Sequence, residues 1–453
     1  MDQGNEQYYH LIPMPSMSSI ENSTHSFDSV FSEMESQLNG SAGSLVHEFQ
    51  KKSFNTLKQI QFPDRKHEDW KYTSVLKLIE PDYTLAGVIS ERKLESIPGL
   101  ESYVIEVING KVSLENSTSA LRDSGVKIST LHEAFGLDAW KEVFLQWISL
   151  ENPTPNRAFE FLNYAFHANS FFIEIPKNVI VDKPIEIRII HNDTGITFSH
   201  PLYFIRACSG SSATIFERFE NADAPYVNSS VSLLNSLGHI HLDQNATLKH
   251  IKWQNLPAQQ NLVYKLLVTQ RRDSRFESLA FDFGGAIVRN NVEVELDESN
   301  TYTSLQAGFI AKDRQSMDHQ TRINHKVPYC ESHELYKGII DGYASAAFNG
   351  KVLVHKDAQK TNAFQQNDTL VLSPNALMNS KPQLEIFADD VKCSHGATIG
   401  QMDETALFYL RSRGMNVNEA KHMLKSAFLA NVIDRIDDKD IREHISNGMT
   451  STI

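Results

Sequence analysis

The chain has 453 residues, and its 56 acidic against 43 basic residues give a formal net charge of -13. That length supplies a large core without cross-links and predicts two or three structural units. The acidic balance, with no long lysine or arginine run, argues against a nucleic-acid partner. The three cysteines form neither a CxxC pair nor a disulfide framework, which favours a reducing compartment. Without a signal-peptide pattern or a run of about 18 apolar residues, we expect a cytoplasmic protein that does not enter a membrane.

The N-terminal third has a mixed pattern. Residues 1–30 are polar and rich in Ser and Asn, which predicts a mobile tail. Apolar residues at helical spacing occur in three later stretches, residues 44–62, 131–150 and 156–168. Asn109-Gly110 between two alternating runs is typical of a tight hairpin. We therefore predict an N-terminal, mixed helical region over residues 31–170.

The pattern changes at Phe171 to short strand-like runs such as FFIEI, PIEIRII, HIHLD and KVLVH, separated by Gly, Asn and Asp. The runs predict an all-β core over residues 171–402, of a size that suits a solenoid or a large barrel. Periodicity alone does not choose between the two. Helical spacing returns in residues 403–453, with Asp403 as a cap and Gly414 as a stop, and predicts a C-terminal helical domain.

Familiar catalytic motifs are absent from the sequence. Gly-Lys occurs twice, but neither pair completes the GxxxxGK[ST] phosphate-binding loop. The sequence also contains no GxSxG elbow, HExxH pair or dinucleotide-binding fingerprint. These absences argue against nucleotide hydrolysis through a phosphate-binding loop and against the commoner hydrolase and dehydrogenase classes.

The strongest chemical candidate is the pair Cys393 and His395. On a strand, the two side chains project from one face, with Cα atoms about 7 Å apart. Thiolate and imidazole both bind iron or zinc, but two ligands fall short of the usual four. Either another chain completes the site or it is no metal site, with Cys393 a small buried hydrophobe and His395 a turn residue. A nucleophilic pair oriented by Asp389 or Asp390 is a third interpretation, although the sequence indicates no oxyanion hole.

Two further patterns are better explained by structure than by chemistry. A short segment concentrates three histidines and a cysteine, namely His319, His325, Cys330 and His333. Their irregular spacing is not that of a zinc finger, and we expect hydrogen-bonded histidines on strands. Gly284-Gly285 followed by Arg289 could bind an anion, but paired glycines in a β region more often mark a tight corner.

Several long segments resemble the SufB/SufD family of iron–sulfur cluster assembly scaffolds. They are FGGAIVRNNVEVELD, DHQTRINHKVPYCESHELYKGIIDGYASAAFNGKVLVHKDAQKTNAFQQND, SPNALMNSKPQLEIFADDVKCSHGATIGQMDETALFYLRSRG, HEDWKYT and FEFLNYAFHANSFFIEIP. The SufB branch is expected to carry a WKYP-type segment and additional core cysteines, and this sequence has neither. The SufD branch is therefore the better match.

The resemblance implies a fold, a role and partners. The implied fold is mainly β, with a right-handed parallel β-helix core flanked by N-terminal and C-terminal helical regions. The implied role is that of a non-enzymatic scaffold, which assembles iron–sulfur clusters at an interface with a SufB-like paralogue. The ATPase is then a separate SufC-like chain, which agrees with the missing phosphate-binding loop.

By the same resemblance, His395 matches a histidine at the nascent cluster site, with Cys393 beside it. The cofactor is then a transient cluster shared with the partner chain, and the assembled complex is a candidate for flavin binding. Candidate contacts with the ATPase are the apolar residues of the C-terminal helices, Phe408, Leu410, Met423 and Phe428. Two alternatives stay open, a homodimer that binds or stores iron and a β-helix enzyme acting on carbohydrate.

Overall fold

The computed structural model describes residues 17–36, 44–87, 94–114, 119–135, 144, 148, 150–191, 195–220 and 231–453. Its centre is a parallel β-solenoid of about 7 turns, with helical regions on the N-terminal and C-terminal sides. The mainly β architecture predicted for the core is therefore confirmed, and the solenoid is the correct choice over the barrel.

The N-terminal helices are α1 (Met17–Ser36), α2 (Leu45–Gln59), α3 (Val75–Ile79), α4 (Ser119–Asp123), α5 (Leu131–Phe135) and α6 (Ala158–Phe166). The Ser44 hydroxyl caps α2 by accepting from the backbone N–H of His47. Of the stretches predicted to be helical, residues 44–62 and 156–168 contain α2 and α6. Residues 131–150 begin with α5, and most of the remainder lies outside the described residues.

The prediction of a mobile tail over residues 1–30 is wrong for residues 17–30, which belong to α1. Phe27, Val30 and Phe31 are buried, and the Phe27 ring lies 6.1 Å from that of Phe62 and 6.1 Å from that of Phe166. The three buried residues follow the i, i+3, i+4 spacing of one helix face, which the polar composition around them concealed. Residues 1–16 lie outside the described part of the chain.

Strands β1 to β9 are β1 (Thr84–Leu85), β2 (Tyr103–Ile108), β3 (Lys111–Ser113), β4 (Lys127–Thr130), β5 (Phe171–Ile175), β6 (Ile185–Ile190), β7 (Thr197–Ser199), β8 (Leu202–Ala207) and β9 (Ser212–Phe219). The predicted hairpin is β2–β3, which pair antiparallel. Asn109 and Gly110 both adopt positive φ, at 51° and 79°, as a type I′ turn requires.

The later strands are β10 (Ser232–Leu242), β11 (Thr247–Gln254), β12 (Gln260–Gln270), β13 (Arg275–Asp282), β14 (Ile287–Leu296), β15 (Tyr302–Ala311), β16 (Ser316–His325), β17 (Glu331–Ile340), β18 (Ser345–Val354), β19 (Asn362–Val371), β20 (Leu377–Ile386) and β21 (Lys392–Gly400). One sheet has the order β20-β18-β16-β14-β12-β10-β8-β5-β4, and the other has the order β21-β19-β17-β15-β13-β11-β9-β6-β2-β3. From β10 onward the pairs are parallel and alternate between the sheets, so each coil adds one strand to each sheet.

Side chains that alternate along each strand divide the solenoid into an interior and an outer surface. We call the space between the two sheets the lumen. It is filled largely by apolar side chains from both sheets. Gly338 illustrates the tight packing, because a Cβ atom there would lie 2.2 Å from the Phe309 ring.

The C-terminal helices are α7 (Glu404–Ser412), α8 (Val417–Ile433) and α9 (Lys439–Thr452). Asp403 caps α7 as predicted, and Asn416 forms a capping box with Glu419 at the start of α8. Apolar residues of α8 and α9 cover the outer face of the second sheet around Trp253. None of the described helices is long and apolar enough to cross a bilayer. The proposed domain boundaries at residues 170 and 402 stay predictions.

A buried cluster attaches the segment that contains Trp70 to the first sheet. Arg289 is 1% exposed, and its Nη1 donates to Asp318 Oδ2 at 2.6 Å. Its guanidinium carbon lies 3.8 Å from the centre of the Trp70 ring, and the Thr73 hydroxyl also donates to Asp318. The Arg289 guanidinium therefore already has an ion-pair partner in Asp318 and a stacking partner in Trp70, which supports a structural role over anion binding.

Candidate functional site

The C-terminal end of the solenoid is an uncovered sheet edge. Among the described strands, β20 pairs only with β18 and β21 only with β19, so each leaves one backbone edge without a strand. Large apolar side chains are exposed beside these edges, at Leu377, Ile386, Phe387 and Ile399. An exposed edge with apolar side chains is a template for pairing with another chain. We call this surface the open end.

Cys393 and His395 both lie on β21 at the open end. Cys393 is in register with Ala363, and His395 is in register with Gln365. Ala363 and Gln365 are inward-facing and buried, so Cys393 and His395 occupy inward positions of the last rung. No further coil covers them in the described structure, and this leaves His395 exposed and Cys393 partly exposed.

The two side chains differ in environment. Cys393 packs against a small apolar cluster that includes Ala363 and Ala388, and burial raises the pKa of its thiol. The thiol is therefore protonated at neutral pH, and a metal that binds it must displace the proton. The His395 imidazole has no hydrogen bond or ion pair to any described residue. Asp390 pairs with Lys360, so it does not orient His395 for nucleophilic chemistry.

A groove of about 550 Å³ lies beside His395 on the outer face of the second sheet. It is lined in part by Ser394, Arg435 and an aromatic pair, His333 stacked on Phe364 with ring centroids 5.3 Å apart. The groove places polar and aromatic groups next to His395 at the open end. Such a surface can accept side chains of a partner that covers the open end.

Behind His395, the lumen contains polar groups that the sequence patterns did not reveal. Leu305, Glu334, Gln365 and His395 are in register on successive coils, and we call this set the His395 row. Glu334 and Gln365 are 4% and 3% exposed, and Gln365 Nε2 donates to Glu334 Oε2 at 2.5 Å. Burial raises the pKa of Glu334 to about 7. Polar residues at alternate positions of HELY and FQQN were the available signal, but the row is visible only once the coils are in register.

Deeper in the lumen, two further polar clusters are fully enclosed. Glu217 Oε2 lies 2.7 Å from His250 Nε2 and accepts a hydrogen bond of 2.7 Å from the Tyr264 hydroxyl. Lys252 Nζ donates to Asp282 Oδ1 at 2.5 Å. Each charged group therefore has a close partner, as burial in an apolar interior requires. Sequence reasoning did not single out these residues.

The histidine-rich segment does not assemble a metal site. His319 and His325 are buried at inward positions, where burial lowers their pKa values to about 4 and about 3. Cys330 is buried in the lumen core, whereas His333 lies on the outer groove. Across the described residues, no group of three His, Cys, Asp or Glu side chains is placed to hold a metal ion. The pair at the open end is likewise short of a complete ligand set within one chain.

The candidate contacts on the C-terminal helices differ in accessibility. Phe408 and Met423 are 73% and 48% exposed, whereas Leu410 is only partly exposed. Phe428 contacts the solenoid, since the Lys337 ammonium lies 4.7 Å from the centre of its ring. Phe408 and Met423 are thus the two candidates most available to a partner, while Phe428 already serves an internal contact.

Comparison with family models gives two matches that together span most of the chain. Residues 21–187 match the SufBD protein N-terminal region. Residues 189–428 match the SufBD core domain of SUF system iron–sulfur cluster assembly. The second match contains the solenoid coils, β21 and most of the first two C-terminal helices.

Curated relatives agree over nearly the full length. The chain is 30% identical over 416 residues to an iron–sulfur cluster assembly SufBD family protein of Synechocystis, covering 89% of this chain and 90% of that protein. It is 29% identical over 392 residues to the iron–sulfur cluster assembly protein SufD of Escherichia coli, covering 84% and 87%. It is 27% identical over 414 residues to the chloroplastic protein ABCI7 of Arabidopsis thaliana, covering 87% and 83%.

Proposed function

The chain belongs to the SufBD family of iron–sulfur cluster assembly proteins, and we propose that it is a SufD-type scaffold subunit without catalytic activity of its own. In this proposal, the open end docks against a SufB-like paralogue, and the cluster forms at the interface. The cluster is the cargo of the assembly, and His395, with Cys393, supplies ligands from this side.

The observation that carries the proposal is the incomplete ligand pair on the last rung of an uncovered solenoid. Imidazole and thiolate are competent iron ligands, but the described residues offer only these two at this position. A second chain that pairs with β20 and β21 would cover the exposed apolar side chains and bring its own ligands to the same place. Half a site at a free sheet edge is the arrangement that a shared cluster needs.

We further propose that α7 and α8 bind a SufC-like ATPase through Phe408 and Met423. Exposed apolar side chains on neighbouring helices suit a hydrophobic groove on a partner. ATP hydrolysis would then occur on the other chain, in agreement with the missing phosphate-binding loop. Purification with the ATPase should fail for Phe408→Glu and Met423→Glu and should persist for Ile180→Glu, which alters an exposed apolar residue elsewhere.

The central test is reconstitution of the complex with the paralogue and the ATPase of the same organism. We expect His395→Ala to reduce cluster formation strongly and Cys393→Ala to reduce it less, measured by visible absorbance and by acid-labile sulfide. Thr398→Ala is a matched control, since Thr398 is exposed on the opposite face of the same strand. Parental cluster yield in both the His395 and Cys393 variants would refute the site.

A homodimer that binds or stores iron is the second candidate, because two copies of the open end could cover each other. Leu377→Lys and Ile399→Lys should prevent association through the open end, and mass measurement with and without the paralogue separates the two assemblies. A homodimer that persists when the paralogue is present in excess would favour the iron-binding or iron-storing function. Family membership favours cluster assembly over carbohydrate chemistry. Flavin binding and the cytoplasmic location stay predictions, and the relatives include a chloroplastic protein.

A further inference from the structure

Two unmet hydrogen-bonding groups lie on neighbouring rungs of the His395 row. The Gln365 carbonyl oxygen, Oε1, is buried and has no hydrogen-bond partner among the described residues. The His395 ring, one rung further out, has none either. In-register residues on adjacent strands are about 4.8 Å apart along the sheet, which a glutamine side chain spans easily. A buried acceptor without a donor is unfavourable, so the pair has a reason to meet.

The orientation of the Gln365 amide is set from behind. Its nitrogen donates to Glu334, which lies on β17, the neighbour of β19 on the side away from the open end. Because the oxygen and nitrogen of an amide diverge from the same carbon, the oxygen points away from Glu334. Gly350 on the opposite sheet leaves room for this arrangement, since a Cβ atom there would lie 2.0 Å from Gln365 Nε2. Gln365 is thus held by a carboxylate on one side and by close packing on the other.

We propose that Glu334 and Gln365 are positioning residues for His395, with Gln365 Oε1 accepting one ring N–H and thereby fixing the tautomer that presents the other ring nitrogen to iron. Neutral imidazole carries one proton, so a fixed acceptor on one nitrogen leaves a lone pair on the other. Mutation of a residue that orients a metal-binding histidine in this way typically weakens metal affinity by about 10-fold to 100-fold. This inference deepens the proposed function and depends on it for the identity of the metal.

The hydrogen bond itself is tested on the chain alone by long-range proton–nitrogen NMR of a sample labelled with nitrogen-15 histidine. His395→Ala identifies the His395 signals by difference. We expect a single tautomer in the parent chain and a mixture in Gln365→Met, which keeps the length of the side chain but removes the acceptor. Gln366→Met is the matched control, because Gln366 is the next residue and faces outward. Identical His395 signals in the parent and Gln365→Met, as expected if only water binds Gln365 Oε1, would overturn the proposal.

A double variant that exchanges Glu334 and Gln365 tests whether the effect of Gln365→Met comes from lost packing rather than from the lost acceptor. In Glu334→Gln with Gln365→Glu, an amide again donates to a carboxylate, and the carboxylate now accepts from His395. We expect this double variant to regain the single tautomer, whereas a purely structural loss in Gln365→Met would not be rescued. Failure of the swap in a folded chain would count against the proposal.

The consequence for iron is tested in the reconstituted complex. Gln365→Met should weaken ferrous iron binding at least tenfold, with the double variant close to the parent. If His395→Ala has no effect on iron binding or cluster yield, the proposed function fails. If His395→Ala abolishes both while Gln365→Met equals the parent, only the positioning role fails.

Discussion

The buried cluster around Arg289 offers a stability prediction with a magnitude set by its contacts. Asp318→Ala removes the carboxylate that accepts from Arg289 at 2.6 Å, inside a site where both side chains are almost fully buried. Loss of one partner of a buried ion pair costs about 3–5 kcal/mol, and we expect the lower end of that range because the Asp69 carboxylate still acts on the Arg289 charge. The folded chain can relieve this cost by letting the segment around Trp70 and Thr73 open to water.

The expected result is local rather than global. A cost of about 3 kcal/mol corresponds to more than a 100-fold increase in the opening equilibrium. Amide hydrogen exchange should therefore accelerate by about that factor in residues 68–76, where the Thr73 amide now bonds the Trp70 carbonyl at 3.2 Å. Asp297→Ala is the control, since it breaks a half-exposed ion pair with Lys326 and should change the same amides little.

A double variant tests the cause. If the cost comes from the unpaired charge, Arg289→Met combined with Asp318→Ala should restore much of the protection that Asp318→Ala loses. Unchanged exchange in a folded Asp318→Ala chain, or a double variant that exchanges as fast as the single one, would refute the reasoning.

Three further predictions concern the solenoid and its helices. Because burial raises the pKa of Glu334 to about 7, the folded chain keeps a proton that the unfolded chain loses above about pH 4.5, and the free energy of unfolding falls as the pH rises towards 7. The Glu334→Gln variant should therefore be more stable than the parent by up to about 3 kcal/mol at pH 8, but not at pH 4. Equal denaturation midpoints of the variant and the parent at pH 8 would contradict this prediction. Gly338→Ala should destabilise by about 1–3 kcal/mol, because its Cβ meets the Phe309 ring, while Gly400→Ala has nothing within 4 Å and should leave the denaturation midpoint unchanged. Asn416→Ala removes the capping box and should cost about 1 kcal/mol, detected as faster amide exchange in the first turn of α8; an unchanged rate there would argue that the cap is dispensable.

Local sequence patterns correctly predicted the elements that are determined by interactions between residues close together in the chain. The Asn109-Gly110 hairpin and the Asp403 cap follow from backbone conformation and hydrogen bonding within a few residues, and both are confirmed. Strand alternation correctly placed Cys393 and His395 on one face. Composition misjudged α1, because an apolar face needs only a few residues such as Phe27 in a polar segment.

The contacts behind His395 depend on long-range register and could not be predicted in this way. Gln365 and Glu334 are 31 residues apart, and their meeting requires the coils between them to close with the correct length. Corner and turn lengths vary from coil to coil, so a slip of one residue would turn Gln365 outward. The sequence indicates which residues alternate, but only the completed coils determine which alternate positions adjoin.

Polar side chains occur in the lumen both in its enclosed part and behind the open end, and only those behind the open end adjoin an uncovered strand. Its core is mostly apolar, and Leu305 separates two polar stretches on one line of in-register residues, namely His250 and Ser278 in the enclosed part and Glu334, Gln365 and His395 at the open end. Buried polar groups are unfavourable unless they are hydrogen-bonded, and the enclosed His250 has partners in Glu217 and Ser278, whereas Gln365 Oε1 has none among the described residues. An acceptor without a partner beside the exposed His395 agrees with our proposal that another chain completes the site. In that proposal, a partner that covers the open end excludes water from His395, while Gln365 orients the imidazole from the lumen side.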